Sequence, residues 1–142
     1  MLEATWSASG PRGDMDAGRN TVRAASAKHG ELNPTQCAEV ENLLRRRLAD
    51  DIGVADMARV AGLGTQHFIE RFRNTYGTTP GQYLIRERVQ HAKRLLAETS
   101  LSIAAIAAES GFSSHSHLTD RFTRRMGIGP SEYRRRRRGQ AT

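Results

Sequence analysis

Two short stretches of this 142-residue sequence carry polar side chains at a spacing that suits base recognition. Turning 100° per residue from the apolar pair Phe68 and Phe72, the opposite helix face holds Gln66, Glu70, Arg73 and Asn74, with Ile69 at its edge. Turning in the same way from Leu118 and Phe122, the opposite face holds Ser116, Asp120, Thr123 and Arg124, with Thr119 at its edge and His115 near the start. Amides, hydroxyls, arginines and carboxylates are the groups that read base edges in a DNA major groove. Thr65 and Ser114, at the two helix starts, suit phosphate oxygens. Arg71 and Arg121 are rotated by 100° from the acids before them and lie beside the buried face, where a phosphate is easier to reach than a base; Arg125 joins them.

The elements that must hold these faces are marked by caps and breakers. Asn33, Pro34 and Gln36 form a helix start, and Val40, Leu43, Leu44 and Leu48 give one apolar stripe, which predicts a first helix ending at about Asp50. A second helix begins near Val54 and stops at Gly62, and a third covers about 65–75 before Gly77. Thr79, Pro80 and Gln82 open a long helix ending near Ala97. Ser102 starts a short helix broken by Gly111, and another runs over about 114–125. No segment reads as a strand, so the expected fold class is all-α.

The second half repeats the first. Val54, Ala55, Met57, Ala58 and Gly62 match Ile103, Ala104, Ile106, Ala107 and Gly111 at a shift of 49; from His67 onward the shift becomes 50, pairing His67, Phe68, Arg71, Phe72, Gly77, Pro80 and Tyr83 with His117, Leu118, Arg121, Phe122, Gly127, Pro130 and Tyr133. In each copy an alanine lets two helices approach, a glycine turns the chain, and a later apolar residue pins the second helix: Ala58, Gly62 and Phe68, then Ala107, Gly111 and Leu118. That is helix-turn-helix spacing, present twice. A helix over 80–97 would span roughly 27 Å at about 1.5 Å per residue, close to one turn of B-DNA, so one chain could address two neighbouring grooves.

These residues resemble the AraC/XylS-type bacterial transcription regulators. The likeness covers about 35–137 and is most specific in GFSSHSHLTDRF (111–122), GIGPSEY (127–133), the matching GTTPGQY (77–83) and RVQHAKRLL (88–96), the last similar to the family's linker helix. The resemblance implies seven helices, two helix-turn-helix units joined by a linker, and recognition helices that enter adjacent major grooves on one face of double-stranded DNA. It places Gln66, Ile69, Glu70, His115, Ser116, Thr119 and Asp120 at DNA-facing positions. Glu70 and Asp120 depart from the pattern, because many members carry a base-contacting arginine there. One account is orientation: Glu70 with Arg73, and Asp120 with Arg124, hold an arginine for guanine or accept from cytosine N4; the other is that the two acids weaken binding or mark a divergent protein.

The expected organisation is a disordered arm over 1–32, a first unit over 33–78, a linker helix over 79–98 and a second unit over 99–142. Charge agrees with a polyanionic partner. Of 22 basic side chains 20 are arginine, the formal charge is +7, and residues 1–34 are neutral, so the whole excess lies on the part expected to fold. The run 134–138, all arginine, reads either as a phosphate contact or as a solvated end, and Arg45, Arg46 and Arg47 as the wet side of the first helix.

Several classes are excluded. The lone Cys37 can close no internal disulfide and reads as a small core residue, and no apolar run reaches the roughly 18 residues of a membrane span. His115 and His117 point to different helix faces and lack further ligands, so neither a metal nor a cofactor is expected. No phosphate-binding loop, dinucleotide fingerprint or catalytic elbow appears, and an enzyme is not expected. Trp6 has no assigned role. The reading is a cytoplasmic, nucleoid-associated regulator with RNA polymerase as a further partner and no effector domain in view, able to act on DNA as a monomer. A protein-interaction module that keeps the fold, and a generic phosphate-driven binder, are the alternatives.

Overall fold

A computed structural model describes residues 30–141, and the following statements concern those residues; Trp6 and the rest of the expected arm lie outside them. Seven helices and no strand occur among the described residues: α1 (Pro34–Arg47), α2 (Val54–Val60), α3 (Thr65–Tyr76), α4 (Pro80–Glu98), α5 (Ile103–Glu109), α6 (His115–Met126) and α7 (Pro130–Ala141). Local chemistry explains most of the starts. Asn33 Oδ1 accepts from the Gln36 N–H at 2.7 Å while Gln36 Oε1 accepts from the Asn33 N–H at 2.9 Å, a reciprocal capping box. Asp56 Oδ2 reaches back to the Gly53 N–H at the start of α2. Thr79, Ser102 and Ser114 hydroxyls accept from Gln82, Ala105 and His117 N–H groups at the starts of α4, α5 and α6.

The chain divides into two compact units, the first holding 30–47 and 52–83 and the second 48–51 and 84–141. In the first, Phe68, Phe72, Met57, Leu44 and Val40 are buried, and the rings of Phe72, Tyr76 and Tyr83 meet one another, Phe72 stacked on Tyr76 at 4.2 Å and edge-on to Tyr83 at 5.3 Å, with Tyr76 and Tyr83 5.0 Å apart. In the second, Val89, Ala92, Leu96, Ile106, Ala107, Phe112, Leu118 and Phe122 form the core, with Tyr133 packed against it.

The repeat survives at the level of hydrogen bonds. The Leu63 N–H donates to the Ala58 carbonyl at 3.0 Å, and the Phe112 N–H to the Ala107 carbonyl at 2.9 Å, so both α2 and α5 end in the same left-handed glycine turn. Gly62 and Gly111 have φ of +73° and +86°. The register slip has a location: cap matches cap between Gly64 and Ser114, which makes Ser113 the inserted residue of the second turn. Its N–H is taken by His117 Nδ1 at 3.2 Å.

Three expectations change. First, α1 stops at Arg47 rather than about Asp50, and in the turn that follows the Leu48 and Asp50 carbonyls accept from the buried Arg88 guanidinium, at 3.2 and 2.9 Å. Second, residues 30–32 are not part of a disordered arm. Leu32 is buried, its N–H donates to Thr75 Oγ1 at 2.9 Å, the Glu31 carbonyl accepts from Arg71 at 3.3 Å, and the Gly30 carbonyl accepts from Asn74 at 2.8 Å. A single leucine among polar neighbours shows no periodicity, yet it fills a place beside α3. Third, the arginine run 134–138 is solvated at 135–138, as one of its two readings has it, but several of its guanidinium groups already have partners. It lies in α7, where Arg134 donates to the Leu96 and Thr99 carbonyls at 3.1 and 3.2 Å, Arg138 also donates to Thr99, and Arg135 and Arg136 both pair with Glu132. Arg45, Arg46 and Arg47 are exposed as expected, and Cys37 is buried. No helix among the described residues is long and apolar enough to cross a membrane.

Two outcomes follow for stability. A Cβ at Gly62 would meet nothing, whereas one at Gly111 would collide with the Leu48 carbonyl and the Arg88 guanidinium. Gly62→Ala should therefore cost about 1–2 kcal/mol, the left-handed penalty alone, and Gly111→Ala clearly more, in urea titrations followed by circular dichroism. The half-buried His91 is held below its ordinary value of 6.5 by burial and by Arg94, against the opposing pull of Glu109. Its contribution is full above that value and is lost as pH falls below it, because the unfolded chain takes up the proton more readily. His91→Gln should flatten that part of the stability profile.

Candidate nucleic-acid interface

The rotation of α3 about its own axis is set by Phe68 and Phe72, both fully buried with ring centroids 5.5 Å apart. Gln66, Glu70, Arg73 and Asn74 are consequently exposed on the far side, Ile69 is half-buried at the edge, and Thr65 is exposed at the first residue. The cap of α3 is Gly64, which offers no side chain. Arg71 and Asn74 are already engaged in part: each donates through one nitrogen to a carbonyl of the 30–32 strap, and Arg71 Nε is buried without a hydrogen-bond partner. This engagement had no sequence signal, since the partners are backbone carbonyls about 40 positions away.

In α6 the same part is played by Leu118 and Phe122, with Phe122 against Tyr133 at 5.5 Å. His115, Ser116, Asp120, Thr123, Arg124 and Arg125 are exposed and Thr119 is half-buried. His117 turns inward, its ring edge-on to Phe112 at 5.3 Å and its Nδ1 toward Ser113, so it does not join His115. No group of three or more histidine, cysteine or carboxylate side chains fit to hold a metal lies among the described residues. Ser114 Oγ accepts from the His117 N–H at 3.0 Å and keeps its own proton for a further acceptor.

The two acids behave differently. Asp120 Oδ1 accepts from Arg124 Nε at 3.2 Å, one helical turn on, and its other oxygen lies 3.9 Å from Arg121 Nε. Glu70 makes no such pair with Arg73 or with any other described residue. The exposed faces of α3 and α6 thus share a shape and differ in how their charges are held.

The profile of a helix-turn-helix domain family matches residues 57–136, from α2 into α7. The chain belongs to the AraC-type helix-turn-helix family. Among relatives of this AraC-type chain, a probable transcriptional regulator, LumQ, of Photobacterium leiognathi is 35% identical over 94 residues, covering 66% of this chain and 38% of that protein. A putative AraC-like transcription regulator of Streptomyces antibioticus is 36% identical over 98 residues, covering 69% of this chain and 32% of that one. This chain therefore spans about a third of the length of the curated relatives it matches. The DNA-binding domain of AdpA, a global transcriptional factor solved in complex with a target DNA, superposes with a TM-score of 0.70 at 34% identity, over 72% of this chain and 93% of that one.

The cap difference is open to measurement. Ser114→Ala should lower the stability of the AraC-type second unit by about 1 kcal/mol and fray the first turn of α6, seen as faster amide exchange at 115–117.

Proposed function

We propose that this chain is a sequence-specific double-stranded DNA-binding transcription regulator that inserts α3 and α6 into adjacent major grooves. The observation that carries the reading is the pair of exposed polar faces, each on the second helix of a helix-turn-helix and each fixed in rotation by a buried pair four residues apart. Gln66, Ile69, Glu70 and Arg73 would form the base-reading face of α3, and His115, Ser116, Thr119 and Arg124, with Asp120 held against Arg124, that of α6. Thr65, Ser114, Arg121 and Arg125 would meet phosphates; Arg71 would do so with the N–H groups that the strap leaves over. The AdpA domain bound to its target DNA supports this choice of partner.

With a reading face in each of its two units, one chain would address two successive turns without a second copy. RNA polymerase would be the further partner on a promoter, and the site of action the nucleoid in the cytoplasm. No catalytic step is assigned.

Selection of bound sequences from a random duplex pool tests the reading. Two short motifs with centres about 10–11 base pairs apart are expected, with a selected duplex bound at least about 1,000-fold more tightly than a random one at physiological salt. Equal binding of both, falling steeply with salt, would indicate a generic phosphate binder, and absence of binding an interaction module. One motif alone would mean that a single unit reads bases.

A further inference from the structure

We infer that the two recognition helices read their half-sites by different chemistry, a carboxylate selecting cytosine in one and a tethered arginine selecting guanine in the other. The inference rests on the DNA-binding reading above and adds the identity of the bases.

Glu70 is exposed at the middle of α3. The side chains that could reach it along the helix are Gln66 and His67 before it and Arg73 and Asn74 after it. The Asn74 amide is spent on the Gly30 carbonyl at 2.8 Å, and neither Arg73 nor any other described residue bonds to the carboxylate. Glu70 therefore presents two oxygens that can only accept. In a major groove, guanine offers acceptors at O6 and N7, thymine an acceptor at O4, and adenine a donor with the N7 acceptor beside it; each sets a lone pair against the carboxylate. Cytosine offers the N4 amino group with no acceptor on the same base edge. An unpaired carboxylate thus favours cytosine by attraction and disfavours the other three by repulsion, which gives selectivity even where the net gain is small.

Asp120 occupies the repeat-equivalent position in α6, yet its Oδ1 is engaged with Arg124 Nε at 3.2 Å. A bond at Nε leaves the terminal nitrogens of the guanidinium pointing onward, and these are the donors that meet guanine O6 and N7 as a pair. Arg124 is largely exposed, so without Asp120 it would sample many rotamers, each costing entropy to freeze on binding. Asp120 is a positioning residue and Arg124 the reader.

The test is sequence selection on the full chain and its variants, followed by titration of duplexes that differ at single positions. The wild type should prefer cytosine at one position of one half-site and guanine at one position of the other. Glu70→Ala should flatten the cytosine preference from about 10-fold to near none, and Glu70→Gln should move it to adenine, whose N6 and N7 suit an amide, both leaving the other half-site unchanged. Arg124→Ala and Asp120→Ala should flatten the same guanine position, while Asp120→Glu, which keeps a carboxylate in reach, should retain it. These side chains are exposed, and unchanged melting curves would show that the variants fold. Glu70→Ala that tightens binding by one factor on every duplex with the motif intact would overturn the cytosine assignment, and Asp120→Ala that leaves the guanine preference intact would overturn the positioning role. A wild type that recovers no motif sinks the DNA-binding reading itself, a different result from a motif that ignores both acids.

Discussion

The structure depends on how a pair of buried side chains four residues apart fixes the rotation of a short helix. Phe68 with Phe72, and Leu118 with Phe122, are each completely excluded from solvent, and a helix so anchored can turn only by exposing an aromatic ring. Full burial of such a side chain is worth about 1.5–3 kcal/mol, so the outward face is held against rotation by several kcal/mol. The turn before each helix adds the second constraint. Its left-handed glycine and the bond from the residue after it to the alanine carbonyl set where the helix starts, leaving the outward residues little choice of position.

Much of this was legible in the sequence because it is local. The capping box at Asn33 and Gln36, the proline-opened α4, and the repeat with its slip of one residue depend on neighbours within a few positions, where spacing alone carries the information. What escaped depends on partners far along the chain. The turn after α1 is held by Arg88, residues 30–32 by Thr75, Arg71 and Asn74, and Arg134 by carbonyls at Leu96 and Thr99. Any arginine in the sequence could make such a bond, so none is marked as the one that does.

The candidate site divides along the same line. Which residues face outward followed from the wheel, and burial agrees, with Ile69 and Thr119 at the margins. Which outward residues hold one another did not. The spacings Glu70 to Arg73 and Asp120 to Arg124 both permit an ion pair, and exposed pairs of this kind are worth only about 0.3–0.5 kcal/mol. So small a quantity is decided by rotamers and neighbours. The structure forms one pair and leaves the other apart, giving two helices of common ancestry different electrostatic surfaces.

The arginine forks turned onto backbone carbonyls bear on composition. Arg71, Arg88, Arg134 and Arg138 each donate to main-chain oxygens, and Arg88 and Arg134 each span two of them at once. A lysine would keep the formal charge but bring one compact ammonium in place of a planar, two-pronged donor, and could not bridge oxygens spaced to fit a guanidinium. The scarcity of lysine in this protein is thus partly an architectural demand rather than a preference for polyanions, and the forks so engaged keep the positive charge that an approaching duplex would feel.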